Sequence, residues 1–551
     1  MSIKEKVRNI IKEATLKTIQ EKNLSKDDLP EIIVEIPKID SHGNLSSNIA
    51  FLLANMASED ILKTAENIVK NIEREDIVEK VEIAGKGFIN IFIAKDCLYK
   101  VLCQIEEESE RYGCSNFGEE KKVLIEFVSA NPTGPLHVGH GRGAVIGDTL
   151  ANVFSAAGYY VEKEYYINNV GKQAELLGTC VEAEYKNLIG IPMDYPEDGY
   201  KGDYIKDLAE KLVKMGGKRY QDWGLDFFVR FTVREILDDI KNVLLSFQVR
   251  FNRMFSENTL YDSGKVDECI DILKEKGYTY EKDGALWLKT TAFNDDKDRV
   301  LIRENNVHTY FAGDVAYHKD KLSREYSKII NILGADHHGY TPRMECACEI
   351  IGYQPGLLEY LLYQLVNLMR DGIQVSMSTR TGEYITLQKV IEEVGSDAAR
   401  FFFVMRKSDV PLDFDLELAK KKSDENPVYY VQYAHARICS ILRQAKEKNI
   451  ENISASEANL DLLSFPEELN LLFKLSILPD EIISITKNLE THRLANYLVE
   501  LASMFHSYYA KYRVISEDKE LTMARLCMCK AVLFAMRSIF KIIAIQAPDK
   551  M

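Results

Sequence analysis

No apolar run in these 551 residues approaches the ~20 needed for a helix to cross a bilayer, and the nearest, Ala531–Ala547, is interrupted by Arg537 and Lys541. The first residues, MSIKEKVRNIIKEATLKTIQEK, mix glutamates with lysines and have no apolar leader segment. They predict an amphipathic helix with Ile3, Val7, Ile10, Ile11 and Ala14 on one face, not a signal peptide. The ten cysteines form no CxxC pair, and Cys346/Cys348 and Cys527/Cys529 are two apart, which does not match a zinc knuckle. Reduced structural thiols are expected, with no disulfide framework and no protein-bound structural metal. Repeats and low-complexity segments are absent too. Basic excess is lacking: the net charge of −15 argues mildly against a nucleic-acid partner. Yet residues 401–551 carry 20 Lys+Arg against 20 Asp+Glu, so the acidic excess lies in residues 1–400 and the last third can present a basic face. These absences leave a cytoplasmic protein without membrane contact, built of three or four domains at roughly 100–200 residues each.

What is present centres on Leu124–Asp148, LIEFVSANPTGPLHVGHGRGAVIGD. Val123, Leu124, Ile125, Phe127 and Val128 predict a strand buried on both faces. Asn131-Pro132-Thr133-Gly134-Pro135 breaks regular structure, and a helix follows with glycines at 141, 143 and 147. A strand, a tight loop and a glycine-lined helix start make a place to hold phosphate. His137 and His140, three apart, fall on one side of the first helical turn, either facing the phosphate or simply capping the helix.

The chain in order predicts a small α+β unit over residues 1–112. It has a strand at Glu31–Ile36, helices at Asn48–Asn55 and Ile61–Ile72, and a strand at Gly87–Ile93. Residues 113–395 alternate strands and helices, which argues for a parallel Rossmann-like sheet, interrupted by an insertion at about 175–300 that includes a hairpin near Gly284–Lys289. The second half resumes at Val300–Arg303, and the buried strand Lys328–Leu333 ends in Gly334-Ala335-Asp336-His337-His338-Gly339, at the end of a strand where ligands collect. That histidine pair is open to readings as substrate or ribose contact, as structural, or, less readily, as metal ligands. Leu357–Met369 reads as an apolar helix and Gly372–Leu387 as a Ser/Thr/Gly loop. Residues 396–551 read as all-helical, with a break at Pro479. Within Pro427–Arg437 (PVYYVQYAHAR), aromatics beside Arg and His suit stacking on unpaired RNA bases, or else a tyrosine packing seam.

Taken together these segments resemble a class I arginyl-tRNA synthetase over essentially the whole chain. His137-Val138-Gly139-His140 resembles the family's HIGH signature, and Asn426–Ile438 (NPVYYVQYAHARI) resembles the start of its anticodon-binding domain. Ser41–Asn48 and Gly87–Asn90 resemble its N-terminal tRNA-contacting domain, and Phe505–Val514 and Ala547–Met551 resemble its usual chain ending. The resemblance implies an enzyme that activates L-arginine with Mg-ATP, releases pyrophosphate, and passes the arginyl group to the terminal adenosine of its tRNA, working as a monomer. His137, Gly139 and His140 would serve ATP and catalysis, with Asp336 and His337 lining the nucleotide site. Similar enzymes place arginine against residues that fall here on Glu126, Asn131, Tyr310 and Asp314, and a guanidinium with five donors demands such carboxylates. Tyr429, Gln432, Tyr433, His435 and Arg437 would contact tRNA. One departure stands out: the KMSKS signature should fall at Ser376-Met377-Ser378-Thr379-Arg380, where both lysines are missing. Ser378, Arg380 and Met377 are the remaining candidates there for contact with the leaving pyrophosphate.

Overall fold

The computed structural model describes residues 2–22, 25, 29–73, 76–169, 171–375, 385–450 and 453–551. Its centre is a five-stranded sheet of β1 (Lys122–Glu126), β2 (Tyr160–Ile167), β3 (Arg253–Ser256), β4 (Lys328–Gly334) and β5 (Leu358–Tyr363). Every neighbouring pair is parallel, and the order across the sheet is β5-β4-β1-β2-β3. The winding reverses between β1 and β4, so a crevice opens outside their carboxyl ends, where ligands bind in doubly wound sheets. Val123, Leu124 and Ile125 on β1 and Ile329 and Ile330 on β4 are fully buried, which explains their continuous apolar runs.

The helix Val138–Ala156 follows β1 and lies close on the sheet because it carries glycine where other side chains would collide. A Cβ on Gly147 would sit 2.2 Å from the Phe127 ring, and one on Gly143 would sit 2.7 Å from Tyr363. Gly147→Ala is therefore expected to cost about 1–3 kcal/mol by overpacking, against a helix-propensity gain of only about 1 kcal/mol. The measurement is the denaturant midpoint; an unchanged midpoint would mean that Phe127 swings clear at no cost.

Several local expectations need correction. Leu357–Met369 is not a helix: it is β5 followed by the strand Val366–Arg370. A 13-residue apolar run fits either element, and here β4 offers a free parallel edge. Residues 175–300 are not a continuous insertion, because β3 lies inside them and pairs with β2 in the main sheet. The helices Lys172–Leu188, Asp203–Gly216 and Leu225–Ser246 are the long crossover between those two strands. Val300–Arg303 does not rejoin the main sheet either. Arg299–Ile302 pairs with the hairpin Thr279–Lys282/Ala285–Leu288 in a separate antiparallel sheet, the hairpin turning at Asp283-Gly284 with both residues at positive φ. Glu31–Ile36 forms one bridge, Glu35 to Ser46, and stops at Pro37, which has no N–H to continue a ladder.

The N-terminal unit carries the helix Ile3–Glu21 and an antiparallel sheet of Leu45–Ser47, Phe88–Ile93 and Val78–Ala84. The C-terminal helices run Pro427–Glu447, Pro466–Ser476, Leu478–Asn488, His492–Lys511 and Lys519–Ile543, broken beside Pro479 as expected. These two units pack on each other. The Tyr99 and Tyr112 hydroxyls donate to the carbonyls of Leu463 (3.1 Å) and Leu475 (2.9 Å), and Ser538 donates to the Tyr112 carbonyl (2.8 Å).

Candidate active site

One side of the crevice is set by the start of the Val138–Ala156 helix. His137 is its N-cap, and the two histidines cap reciprocally: His140 N–H donates to His137 Nδ1 and His137 N–H donates to His140 Nδ1, both at 3.3 Å. The rings stack with centroids 3.7 Å apart. Burial lowers the pKa of both, that of His140 to about 3, so the pair is neutral at physiological pH. Since both Nδ1 atoms accept, each ring proton belongs on Nε2, which leaves two N–H donors pointing away from the cap. The cap therefore occupies only the Nδ1 atoms and does not exclude a ligand at Nε2. Gly139 is needed beneath it, since a Cβ there would lie 3.0 Å from His137 Cε1. Asp336 and His337 are exposed at the carboxyl end of β4, with the Asp336 charge close enough to act on His137.

The other half holds carboxylates. Asp314 lies on the helix Tyr310–Leu322, capped by Thr309, and accepts a hydrogen bond from the Tyr340 hydroxyl. Burial, reinforced by Glu257 and Glu126 nearby, pushes its pKa up to about 7. Glu257 follows β3, is 2% exposed, and is likewise pushed up to about 7 by burial. Its carboxyl group is held against the Tyr166 and Tyr261 hydroxyls, which oppose the effect of burial. Nothing in the local sequence points to Glu257; its signal is its place just past β3, a strand whose role in the main sheet only the pairing with β2 reveals.

Glu126 departs from the expectation of a carboxylate awaiting substrate. It ends β1, is 6% exposed, and is ion-paired with the fully buried Lys321. Ser129 also donates to it, at 2.9 Å, from a turn in which Val128 and Ser129 adopt φ of 67° and 39°. Asn131 is exposed and bonds Gln173 (3.2 Å), while Tyr310, 54% exposed, stands with its hydroxyl against Gly171. Asn131 and Tyr310 are therefore at the mouth, and Asp314 and Glu257 at the floor.

Ser378, Arg380 and Met377 lie outside the described residues. The chain beyond them returns beside the signature: Thr386 bridges His137, and Leu387 N–H donates to the Leu136 carbonyl at 2.7 Å. Of the residues expected to meet RNA, Tyr429 and Tyr433 stack at 5.9 Å, and the Arg437 guanidinium lies between Tyr433 (4.5 Å) and Tyr509 (5.2 Å). Gln432 is partly exposed and is tied to Asp397 and the Gln546 carbonyl, both at 3.0 Å. His435 must be withdrawn from that set. It is fully buried, bonded through Nδ1 to the Pro548 carbonyl (2.9 Å) and through Nε2 to Arg537 (3.0 Å), and it anchors the chain end. His435, Cys439 and Asp549 converge, but Arg537 donates to both His435 and Asp549, so a guanidinium stands where a metal would.

Three family descriptions match the chain in order: arginyl tRNA synthetase N terminal domain at residues 1–93, tRNA synthetases class I (R), catalytic domain, at 102–434, and DALR anticodon binding domain at 431–551. Among curated proteins, the arginine–tRNA ligase of Syntrophotalea carbinolica is 45% identical over 554 residues, covering 100% of both chains. That of Moorella thermoacetica is 45% identical over 96% of this chain and 95% of its own. Among solved structures, the putative arginyl-tRNA synthetase of Campylobacter jejuni superposes with TM-score 0.76 at 35% identity, over 83% of this chain and 100% of that one. The arginyl-tRNA synthetase of Thermus thermophilus gives TM-score 0.78 at 21% identity over 99% and 100%, a likeness of fold.

Proposed function

Since the chain belongs to the arginyl-tRNA synthetase family, we propose a division of labour for its residues. The enzyme activates arginine with ATP and charges tRNA with it. In the first step an arginine carboxylate oxygen attacks the α-phosphorus and the bond to pyrophosphate breaks. In the second a ribose hydroxyl of the tRNA's terminal adenosine attacks the activated carbonyl and AMP leaves. Both steps need placement and donors for developing charge more than covalent help from the protein.

The guanidinium is assigned to the floor, between Asp314 and Glu257, with Tyr166, Tyr261 and Tyr340 around it and Asn131 and Tyr310 at the mouth. The observation carrying this is a pair of desolvated carboxylates, Asp314 and Glu257, facing each other at the carboxyl ends of the central strands, without a protein cation bonded to either among the described residues. Glu126 is kept as part of this wall, already neutralised by Lys321. His137 and His140 offer their Nε2–H donors to the phosphates, with Gly139, Asp336 and His337 completing the nucleotide half and Ser378, Met377 and Arg380 assigned to the loop that follows. Mg²⁺ would arrive on ATP, shielding its phosphates; a hard ion of this kind is commonly held by one or two carboxylates and the phosphates together, and Asp336 is the exposed carboxylate placed there. Tyr429, Gln432, Tyr433 and Arg437 are assigned to tRNA. Domain limits near residues 112 and 395, a monomer, and a cytoplasmic location without membrane contact complete the proposal; no described helix is long and apolar enough to cross a membrane.

The direct test is charging of total tRNA with labelled arginine, lysine and glutamine. Arginine alone should be incorporated, and incorporation of lysine or glutamine instead would overturn the assignment. A pH dependence follows. Asp314 and Glu257 hold protons in the empty site below about pH 7 and must lose them to bind a guanidinium. The arginine KM should therefore rise as pH falls from about 8 to about 6, by up to roughly tenfold per unit for each group. An arginine KM flat across that window would count against the two-carboxylate floor.

A further inference from the structure

Lys321 is one of the largest fully buried side chains of the protein, and the reaction as described makes no use of it. It lies seven residues beyond Asp314 on the helix Tyr310–Leu322, so about two turns separate them on one face. Its ammonium is ion-paired with Glu126, donates to Asn331 Oδ1 at 2.8 Å, and lies 4.3 Å from the centre of the Tyr317 ring. Asn331 in turn donates to His318 Nε2 (3.0 Å), and His318 Nδ1–H is bonded to the Asp314 carbonyl (2.8 Å). The network therefore runs from Glu126 on β1, through Lys321, back to the backbone of Asp314.

We propose that Lys321 is a positioning residue for amino-acid selection: a resident cation that takes Glu126 out of competition for the substrate's charge and leaves the guanidinium to Asp314 and Glu257. The proposal rests on the two-carboxylate reading of the floor. Two buried carboxylates, Glu126 and Glu257, and the half-buried Asp314 meet at this pocket, while a guanidinium carries one positive charge. Without an internal cation the pocket would hold protons instead of substrate, because isolated buried carboxylates neutralise themselves. Both members of the pair act on Asp314, Glu126 pushing its carboxyl up and Lys321 pulling it down. Glu257, Tyr340, Tyr166 and Tyr261 also lie near Asp314, and His318, bonded to its carbonyl, is kept neutral by burial.

The test uses the full-length enzyme with its tRNA and compares Lys321→Met, Lys321→Arg and the double variant Glu126→Gln/Lys321→Met, each first checked for folding by its thermal melt. Lys321→Met should raise the arginine KM at neutral pH by about tenfold or more with a much smaller change in kcat, the mark of lost ground-state binding. It should also move the pH dependence of that KM to higher pH. Lys321→Arg should restore both. The double variant should return the pH profile to that of the parent, because it removes one charge of each sign. A folded Lys321→Met enzyme with the parental KM and pH profile overturns the proposal, as does a double variant whose profile stays displaced. Should Lys321→Met not fold, Glu126→Gln decides the question: it leaves Lys321 without its counter-charge and should move the pH dependence of KM to lower pH, and an unmoved profile overturns the proposal. Failure of the parent enzyme to charge arginine at all would instead overturn the assignment of function on which this rests.

Discussion

Asp314→Asn is expected to lower kcat/KM for arginine by about 10²- to 10⁴-fold, while the enzyme still folds. The side chain keeps its shape and its contact with Tyr340, but the charge proposed to meet the guanidinium is gone, and truncating one partner of a buried charge pair costs about 2–5 kcal/mol. Steady-state charging kinetics at saturating tRNA and ATP measure the loss. The same substitution should leave stability equal or higher near pH 8. In the parent protein, folding holds a carboxyl whose pKa has been raised to about 7 by burial. A raised carboxylate makes the folded state progressively less favourable as pH climbs from the unfolded value through the folded one, and an amide escapes that cost. Activity lost together with stability gained is the signature of a site strained for function. An unchanged arginine KM would remove Asp314 from the pocket.

Arg400→Met is expected to destabilise the protein by about 3–5 kcal/mol, the range found when one partner of a buried ion pair is removed. Arg400 is fully buried and directs its guanidinium three ways: to Asp148 (2.6 Å), to the Phe247 carbonyl (2.8 Å) and to the Ile543 carbonyl (2.7 Å). Asp148 lies on the signature helix and also binds Lys163, while Phe247 ends the last crossover helix and Ile543 ends the last helix of the chain. The substitution leaves two carbonyls without this donor and takes from Asp148 one of its two cations, where three helices meet. Lysine cannot replace it, having a point charge and no planar fork. Urea unfolding followed by circular dichroism gives the size of the effect; a loss below about 1 kcal/mol would mean that water or Lys163 takes over the junction.

Much of this was legible in the residues. The strand–loop–helix at Leu124–Asp148 is legible because a both-faces-buried strand, a Pro/Gly loop and a glycine-lined helix each leave a local trace. The Gly284 hairpin, the break at Pro479 and the helical last third are legible for the same reason, as backbone chemistry acts over a few residues. The failures fall where neighbours far along the chain decide. Leu358–Tyr363 is a strand only because β4 lies beside it, and Arg253–Ser256 joins the sheet only because β2 is there to pair with. His435 has an RNA-binding composition around it, but the chain end from Ala547 folds over it.

The sequence alone determined the family, the order of the three units, the histidine signature and Asp314 as a candidate for the amino acid. It also displayed the lysine-free stretch at Ser376–Arg380, which lies outside the described residues. The tertiary structure alone decided which carboxylate pairs with a cation of the protein. Glu126, Glu257, Asp314 and Lys321 come from a strand end, a strand exit and one helix face, spread over 196 positions of sequence and joined by the crevice between β1 and β4. A charge in a sequence carries no record of its partner. Whether a buried carboxylate is spent on a lysine of its own or left open for a substrate depends on distances of a few ångströms, which only the folded chain sets.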